Sequence, residues 1–119
     1  MAAAKEVFSF IGYSIEVNLK FISEEEIKRI NYKLRGQDRA TNVLAFGFGD
    51  KVGDIVISNK FVAKEARRLN YEVRDLILLY LVHGILHLAG FDHMIDKERV
   101  KMEMAEEQIM SNLGIKISR

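Results

Sequence analysis

All three histidines of the chain, His83, His87 and His93, lie within eleven consecutive residues. Side chains four residues apart stack on one face of a helix, which brings the first two imidazoles together. Gly90 follows three residues later, and glycine commonly ends a helix because it reaches left-handed backbone angles at little cost. A chain reversal there would let His93 approach the other two. Three converging neutral imidazoles suit a transition metal, zinc above all, so the sequence predicts one Zn²⁺ per chain.

The number of ligands predicts the kind of metal site. Three protein ligands leave the fourth tetrahedral position open for water, which is typical of catalytic zinc. A single histidine on an apolar helix is more often a hydrogen-bonded core or surface residue. Three imidazoles buried among Leu and Ile without partners would be costly, and a shared metal removes that cost.

The same spacing occurs in H-E-x-x-H-x-x-G-x-x-H zinc proteases, in which the glutamate is the general base. Here that position is Gly84. A glycine cannot accept a proton, so a zinc-dependent amide or peptide hydrolase is an alternative that lacks its base.

Composition limits the other classes of function. The chain has 119 residues, of which 49% are hydrophobic and 29% charged, as expected for one compact domain over residues 1–119. The net charge of +1 does not by itself predict an acidic partner, and the absence of cysteine excludes thiolate ligands and disulfides. The longest fully apolar run, 76–82, is too short to cross a membrane. We therefore expect a cytoplasmic protein.

Hydrophobic periodicity predicts a mixture of helices and strands. Residues 15–22 alternate as a half-buried strand, and Ser23 with Glu26 forms the capping-box pattern of a helix start. The short apolar stretch 7–11 is either a strand or an extended lead-in. The remaining predicted elements are strands at 42–48 and 54–58 and helices at about 60–69, 74–89 and 96–112.

Three blocks of this sequence resemble one known family. His83 to His93 reads HGILHLAGFDH and is similar to the H-G-x-L-H-L-x-G-Y-D-H signature of the YbeY family of bacterial endoribonucleases. Arg35 to Phe46 reads RGQDRATNVLAF and resembles that family's R-G-x-D-x-P-T-[DN]-V-L-S-F segment. Residues 53–57, GDIVI, match its G-D-I-x-I strand. The region before the first strand looks short for the family, which usually has an N-terminal helix there.

The resemblance implies an α+β fold with a mixed sheet of about four strands. About four to five helices would cover the sheet, with a zincin-like metal helix in the centre. It implies zinc held by His83, His87 and His93, with Arg35 across a cleft from the metal. Arg35 and His83 are the residues it marks as catalytic. The implied activity is metal-dependent cleavage of single-stranded RNA in maturation of the 16S rRNA 3′ end and in ribosome quality control. Ribosomal RNA and ribosomal components would be the partners, and no oligomeric state is implied.

Metal-dependent cleavage of RNA would give roles to several of these residues. Zinc would supply hydroxide from its bound water at neutral pH, and the fork-shaped guanidinium of Arg35 suits a phosphate. Alternatively, Arg35 pairs with an acid such as Asp38. Asp54 and Asp92 are candidates to orient the imidazoles. In a third hypothesis the protein is a non-catalytic ribosome-associated zinc module. A fourth protein ligand, such as Asp92 or Asp96, would then close the coordination sphere of the zinc.

Overall fold

The computed structural model describes residues 2–92 and 95–117 of the chain. This part has an α+β fold, as the sequence predicts. Its elements in chain order are α1 (Ala2–Ile11), β1 (Glu16–Ile22), α2 (Glu24–Arg35), β2 (Val43–Gly47), β3 (Val52–Ser58), α3 (Asn59–Leu69), α4 (Val73–Leu88) and α5 (Asp96–Asn112).

The sheet is mixed, with the strand order β1-β3-β2. β1 pairs with β3 in parallel, and β2 pairs with β3 in the antiparallel sense. The described residues form three strands rather than the expected four or so. β3 is central, and its Ile55 and Ile57 are fully buried. β2 is an edge strand. Among the described residues it pairs with β3 on one side and with no strand on the other.

The N-terminal segment is a helix, and the interpretation of residues 7–11 as a strand or extended lead-in is wrong. α1 begins among alanines, which favour helix most strongly of all residues. Ala3, Ala4 and Val7 lie on one helical face and are buried in the main core. The apolar stretch is only the second half of this helix, so it does not supply a fourth strand.

The helix that carries Arg35 begins and ends where the sequence predicts. The hydroxyl of Ser23 accepts a hydrogen bond from the backbone N–H of Glu26 at 3.1 Å. Gly36 takes a left-handed conformation with φ of 68°, and its N–H bonds to the carbonyl of Tyr32. These two caps fix Arg35 as the last residue of α2.

The helix that carries His83 and His87 is the centre of the fold. α4 packs against α1, α3, α5, β2 and β3. A Cβ built on Gly84 would lie 3.0 Å from Cδ1 of Ile55, so glycine lets α4 approach β3 closely. No helix among the described residues is both long and apolar enough to span a membrane.

The chain reverses sharply at the end of α4. Gly90 has φ of 98°, and the N–H of Phe91 bonds to the carbonyl of Leu86 at 3.0 Å. The N–H of Gly90 bonds to the carbonyl of His87, which completes a Schellman motif. The predicted role of Gly90 in ending this helix is therefore confirmed.

Candidate active-site cleft

A cleft of about 590 Å³ lies between α4 and the edge strand β2. α4 contributes His83, Gly84, His87 and Leu88 to its walls, and Asp92 lies just beyond. The other lining residues come from the last residue of α2, the segment after it, and β2: Arg35, Arg39, Thr41, Asn42, Val43, Leu44, Ala45 and Gly47. Two imidazoles and two guanidinium groups therefore share one concave surface.

The two described histidines of the predicted metal site lie side by side. The ring centroids of His83 and His87 are 4.6 Å apart, with an angle of 82° between the ring planes. His93 lies outside the described residues. Within residues 2–92 and 95–117, no three His, Asp or Glu side chains are grouped as a metal site would require. The geometry of a complete ligand set is thus not part of the described structure.

A buried glutamate that the sequence analysis missed lies against His83. A carboxylate oxygen of Glu106, on α5, contacts Nδ1 of His83, and Glu106 is only 2% exposed. Two acceptors cannot face each other, so a proton lies between these two atoms. With that proton on Nδ1, the ring's Nε2 keeps its lone pair. One sequence feature indicated this role: Glu106 lies between Met102 and Ile109 on the apolar face of α5.

The donor set present in the cleft fits a metal such as zinc. His83 and His87 supply neutral nitrogen donors from successive turns of one buried helix. Metal-ligating histidines almost always donate their other ring N–H to a carboxylate, carbonyl or water, and Glu106 occupies that position behind His83. This contact fixes the tautomer and the ring orientation before any ion binds.

The contact with Glu106 makes a prediction about metal affinity. Glu106→Gln is expected to weaken zinc binding by roughly tenfold, because a neutral amide accepts the Nδ1 proton less strongly than a carboxylate. Competition with a chromophoric chelator measures the affinity. Glu107→Gln, at the exposed neighbouring position, is the matched control and should bind zinc as the wild type does. Equal zinc affinity of Glu106→Gln and wild type would contradict this role.

The other acidic residues singled out from the sequence lie in different places. Asp54 accepts a hydrogen bond from Nδ2 of Asn18 on β1 at 3.1 Å. Asp92 lines the cleft. Asp96 is 91% exposed and pairs with Arg99 in the first turn of α5. Asp38 pairs with Lys28 at 3.9 Å.

The two arginines of the cleft are held differently. None of the ion pairs found in the described ranges involves Arg35, which lies at the exposed end of α2. Arg39 donates from Nε to Oε1 of Gln37 at 3.0 Å. Its backbone carbonyl accepts a hydrogen bond from Nδ2 of the buried Asn31, also at 3.0 Å. Arg39 is thus a second cation of this cleft, which the sequence analysis did not select.

A polar network ties the start of β2 to α3 and α4. Glu65 accepts hydrogen bonds from the amide of Asn42 at 3.2 Å and from the hydroxyl of Tyr80 at 2.9 Å. Burial, followed by the charge of Glu65, raises the pKa of the Tyr80 phenol above its usual range. The phenol therefore stays protonated and donates to Glu65. Asn42 lines the cleft, so this network fixes one end of the cleft wall relative to the histidine helix.

Comparisons with known proteins give a consistent result. The sequence matches the family model described as Endoribonuclease YbeY over residues 1–114. Endoribonuclease YbeY of Allorhizobium ampelinum is 41% identical over an alignment of 121 positions, gaps included, that covers 94% of this chain and 72% of the relative. Endoribonuclease YbeY of Francisella tularensis subsp. holarctica is 39% identical over 111 residues, covering 84% and 68%. The solution structure of TM1509 from Thermotoga maritima is similar, with a TM-score of 0.65 and 32% identity. It aligns over 94% of this chain and 79% of its own.

Proposed function

The chain belongs to the endoribonuclease YbeY family, and from that membership we propose that it is a zinc-dependent endoribonuclease that cleaves single-stranded ribosomal RNA. The observation that carries the proposal is the cleft, because it combines imidazole nitrogens that can bind a metal with guanidinium groups that can bind a phosphodiester. His83, His87, Arg35 and Arg39 all line it. A reaction at a phosphate needs both groups at one place.

We assign the metal to His83, His87 and His93. The Schellman turn at Gly90 brings Asp92 to the cleft, one residue before His93 in the chain, and this supports His93 as the third ligand. A zinc ion bound there would act as a Lewis acid and would lower the pKa of its bound water to around 7. Glu106 keeps the His83 ring in the tautomer whose Nε2 can bind.

We assign to Arg35 the role of binding the phosphate at which cleavage occurs. Its guanidinium is always charged, carries five N–H donors and matches two phosphate oxygens at once. The absence of an acidic partner for Arg35 within the described residues leaves this charge available to an anion. Arg35 therefore binds the phosphate and stabilises the negative charge that develops on it during hydrolysis.

The biological setting follows from the family. We propose that residues 1–119 act as one domain in the cytoplasm. Their substrate there is the 3′ end of 16S rRNA, and ribosomal components are the partners in maturation and quality control. A net charge of +1 is compatible with this assignment, because Arg35 and Arg39 place two positive charges in the cleft itself.

A peptidase activity fits the cleft poorly. In zinc peptidases with this histidine spacing, a glutamate occupies the position of Gly84. A side chain there would begin 3.0 Å from Cδ1 of Ile55, so the packing of α4 on β3 leaves it little room. The alternative of a non-catalytic zinc module depends on Asp92, which lines the cleft and could close the coordination sphere.

The test is cleavage of RNA by the metal-loaded protein. Wild type with one equivalent of zinc is expected to cut a single-stranded fragment of the 16S rRNA 3′ end. Chelator should stop the reaction, and added zinc should restore it, as followed on denaturing gels. Casein incubated in parallel should stay intact. RNA cleavage that survives chelation would contradict the proposal, and bound zinc without any cleavage would favour the structural module.

A further inference from the structure

Asn31 is a buried amide whose hydrogen bonding is incomplete. It lies on α2 and is 1% exposed. Its Nδ2 donates to the backbone carbonyl of Arg39 at 3.0 Å. Its Oδ1 is buried and has no hydrogen-bond partner among the described residues. For folding alone, an apolar side chain of similar size would suit this site at least as well, because a buried acceptor without a partner is unfavourable.

The one hydrogen bond that Asn31 makes reaches the wall of the cleft. Residues 37–41 connect α2 to β2 without regular secondary structure, and Arg39 and Thr41 line the cleft. Such a segment has no helix or strand ladder to fix its backbone. Asn31 supplies a fixed point from the buried side of α2, at the residue that carries a cleft cation.

The side chain of Arg39 is restrained as well. Its Nε donates to Oε1 of Gln37 at 3.0 Å. A guanidinium has five N–H donors, so this contact leaves the others for a second ligand. Arg39 is consequently held at its backbone by Asn31 and at its side chain by Gln37. A cation fixed in this way loses less conformational freedom when it binds an anion.

We infer that Arg39 binds a phosphate of the RNA other than the reacting one, and that Asn31 and Gln37 are positioning residues that preorganise it. This rests on the proposed function, since an RNA in the cleft supplies the phosphates. Arg35 at the end of α2 and Arg39 in the following segment present two separate cations beside the histidines. An RNA strand in the cleft would then have a cation available for a phosphate other than the reacting one.

The experiment measures RNA affinity without cleavage. A fluorescently labelled single-stranded RNA from the 16S 3′ end is titrated in chelator, at several salt concentrations, with wild type and variants. Arg39→Gln is expected to weaken binding about tenfold, the effect of one charge-assisted hydrogen bond. The slope of log affinity against log salt should fall by about 0.7, the value for one phosphate contact on a single strand. Arg29→Gln removes an exposed cation of α2 that does not line the cleft, and it should have a smaller effect.

The positioning residues are tested by their dependence on Arg39. Asn31→Leu is expected to weaken RNA binding roughly threefold, as one long side chain becomes disordered. The midpoint of thermal unfolding of Asn31→Leu should equal or exceed that of the wild type. If Asn31 served only to stabilise the fold, this substitution would lower the midpoint. Gln37→Ala, in the irregular segment, provides a second variant that leaves α2 unchanged and should also weaken binding. In the Arg39→Gln background, neither substitution should reduce affinity further.

Three results would overturn the inference: wild-type affinity in Arg39→Gln, wild-type affinity in both Asn31→Leu and Gln37→Ala, or full additivity of the effects of these two variants with Arg39→Gln. Each of these results leaves the proposed function intact if the wild type still cleaves RNA with zinc. If the wild type neither binds nor cleaves RNA, the proposed function itself fails, so the two failures are distinguishable.

Discussion

His83→Ala is expected to abolish zinc-dependent RNA cleavage, with a fall in rate of at least about 10³-fold. A catalytic metal contributes several kcal/mol of transition-state stabilisation, and each 1.4 kcal/mol or so corresponds to a factor of ten. His87→Ala should have a similar effect on the rate. The measurements are zinc per chain, by elemental analysis, and initial cleavage rates at saturating zinc.

The two variants should differ in stability, which provides an internal control. His83→Ala leaves the buried carboxylate of Glu106 without its Nδ1 partner, whereas His87→Ala keeps that contact. We therefore expect His83→Ala to lower the free energy of unfolding by about 1–3 kcal/mol more than His87→Ala. Cleavage retained in His87→Ala, which should be the better folded variant, would disprove the metal assignment.

Arg35→Ala is expected to lower kcat/KM for RNA by about 10²–10³-fold, the usual effect of removing one donor that stabilises transition-state charge. Zinc content and thermal stability should not change, because Arg35 is exposed at the end of α2. Arg35→Lys should recover only part of the activity, since an ammonium retains the charge but cannot bind two oxygens in a fixed geometry.

Arg29→Ala is the matched control for Arg35→Ala. Arg29 lies on the same helix, is exposed, and does not line the cleft. The Arg29→Ala variant should cleave RNA at close to the wild-type rate. A small decrease is expected because one positive charge that attracts RNA from a distance is lost. If Arg35→Ala and Arg29→Ala are impaired to the same degree, Arg35 has no specific role at the reacting phosphate.

Most of the local elements and the candidate metal ligands could be predicted from the residue pattern alone. The spacing of His83 and His87 places them on one face of a helix because the helical period is 3.6 residues. The caps at Ser23 and Gly36 were readable because capping depends on residues within one turn. The motifs around Arg35 and the histidines also identified the family, which the family comparison confirms.

Contacts between residues far apart in the chain became known only from the packing of the helices and strands. Glu106 belongs to a helix rich in charged residues, and its contact with His83 joins positions 23 residues apart in the chain. Asn31 reads as an ordinary helical polar residue until α2 is packed and its amide reaches Arg39. The short apolar stretch 7–11 fits a strand or a helix by its pattern alone, and the packing of Ala3, Ala4 and Val7 into the core decides for the helix. Helix periods and caps depend on residues within a few positions of each other, so they can be recognised in the sequence. The contacts of Glu106 and Asn31 depend on how whole helices and strands pack together, and a single sequence does not specify that packing directly.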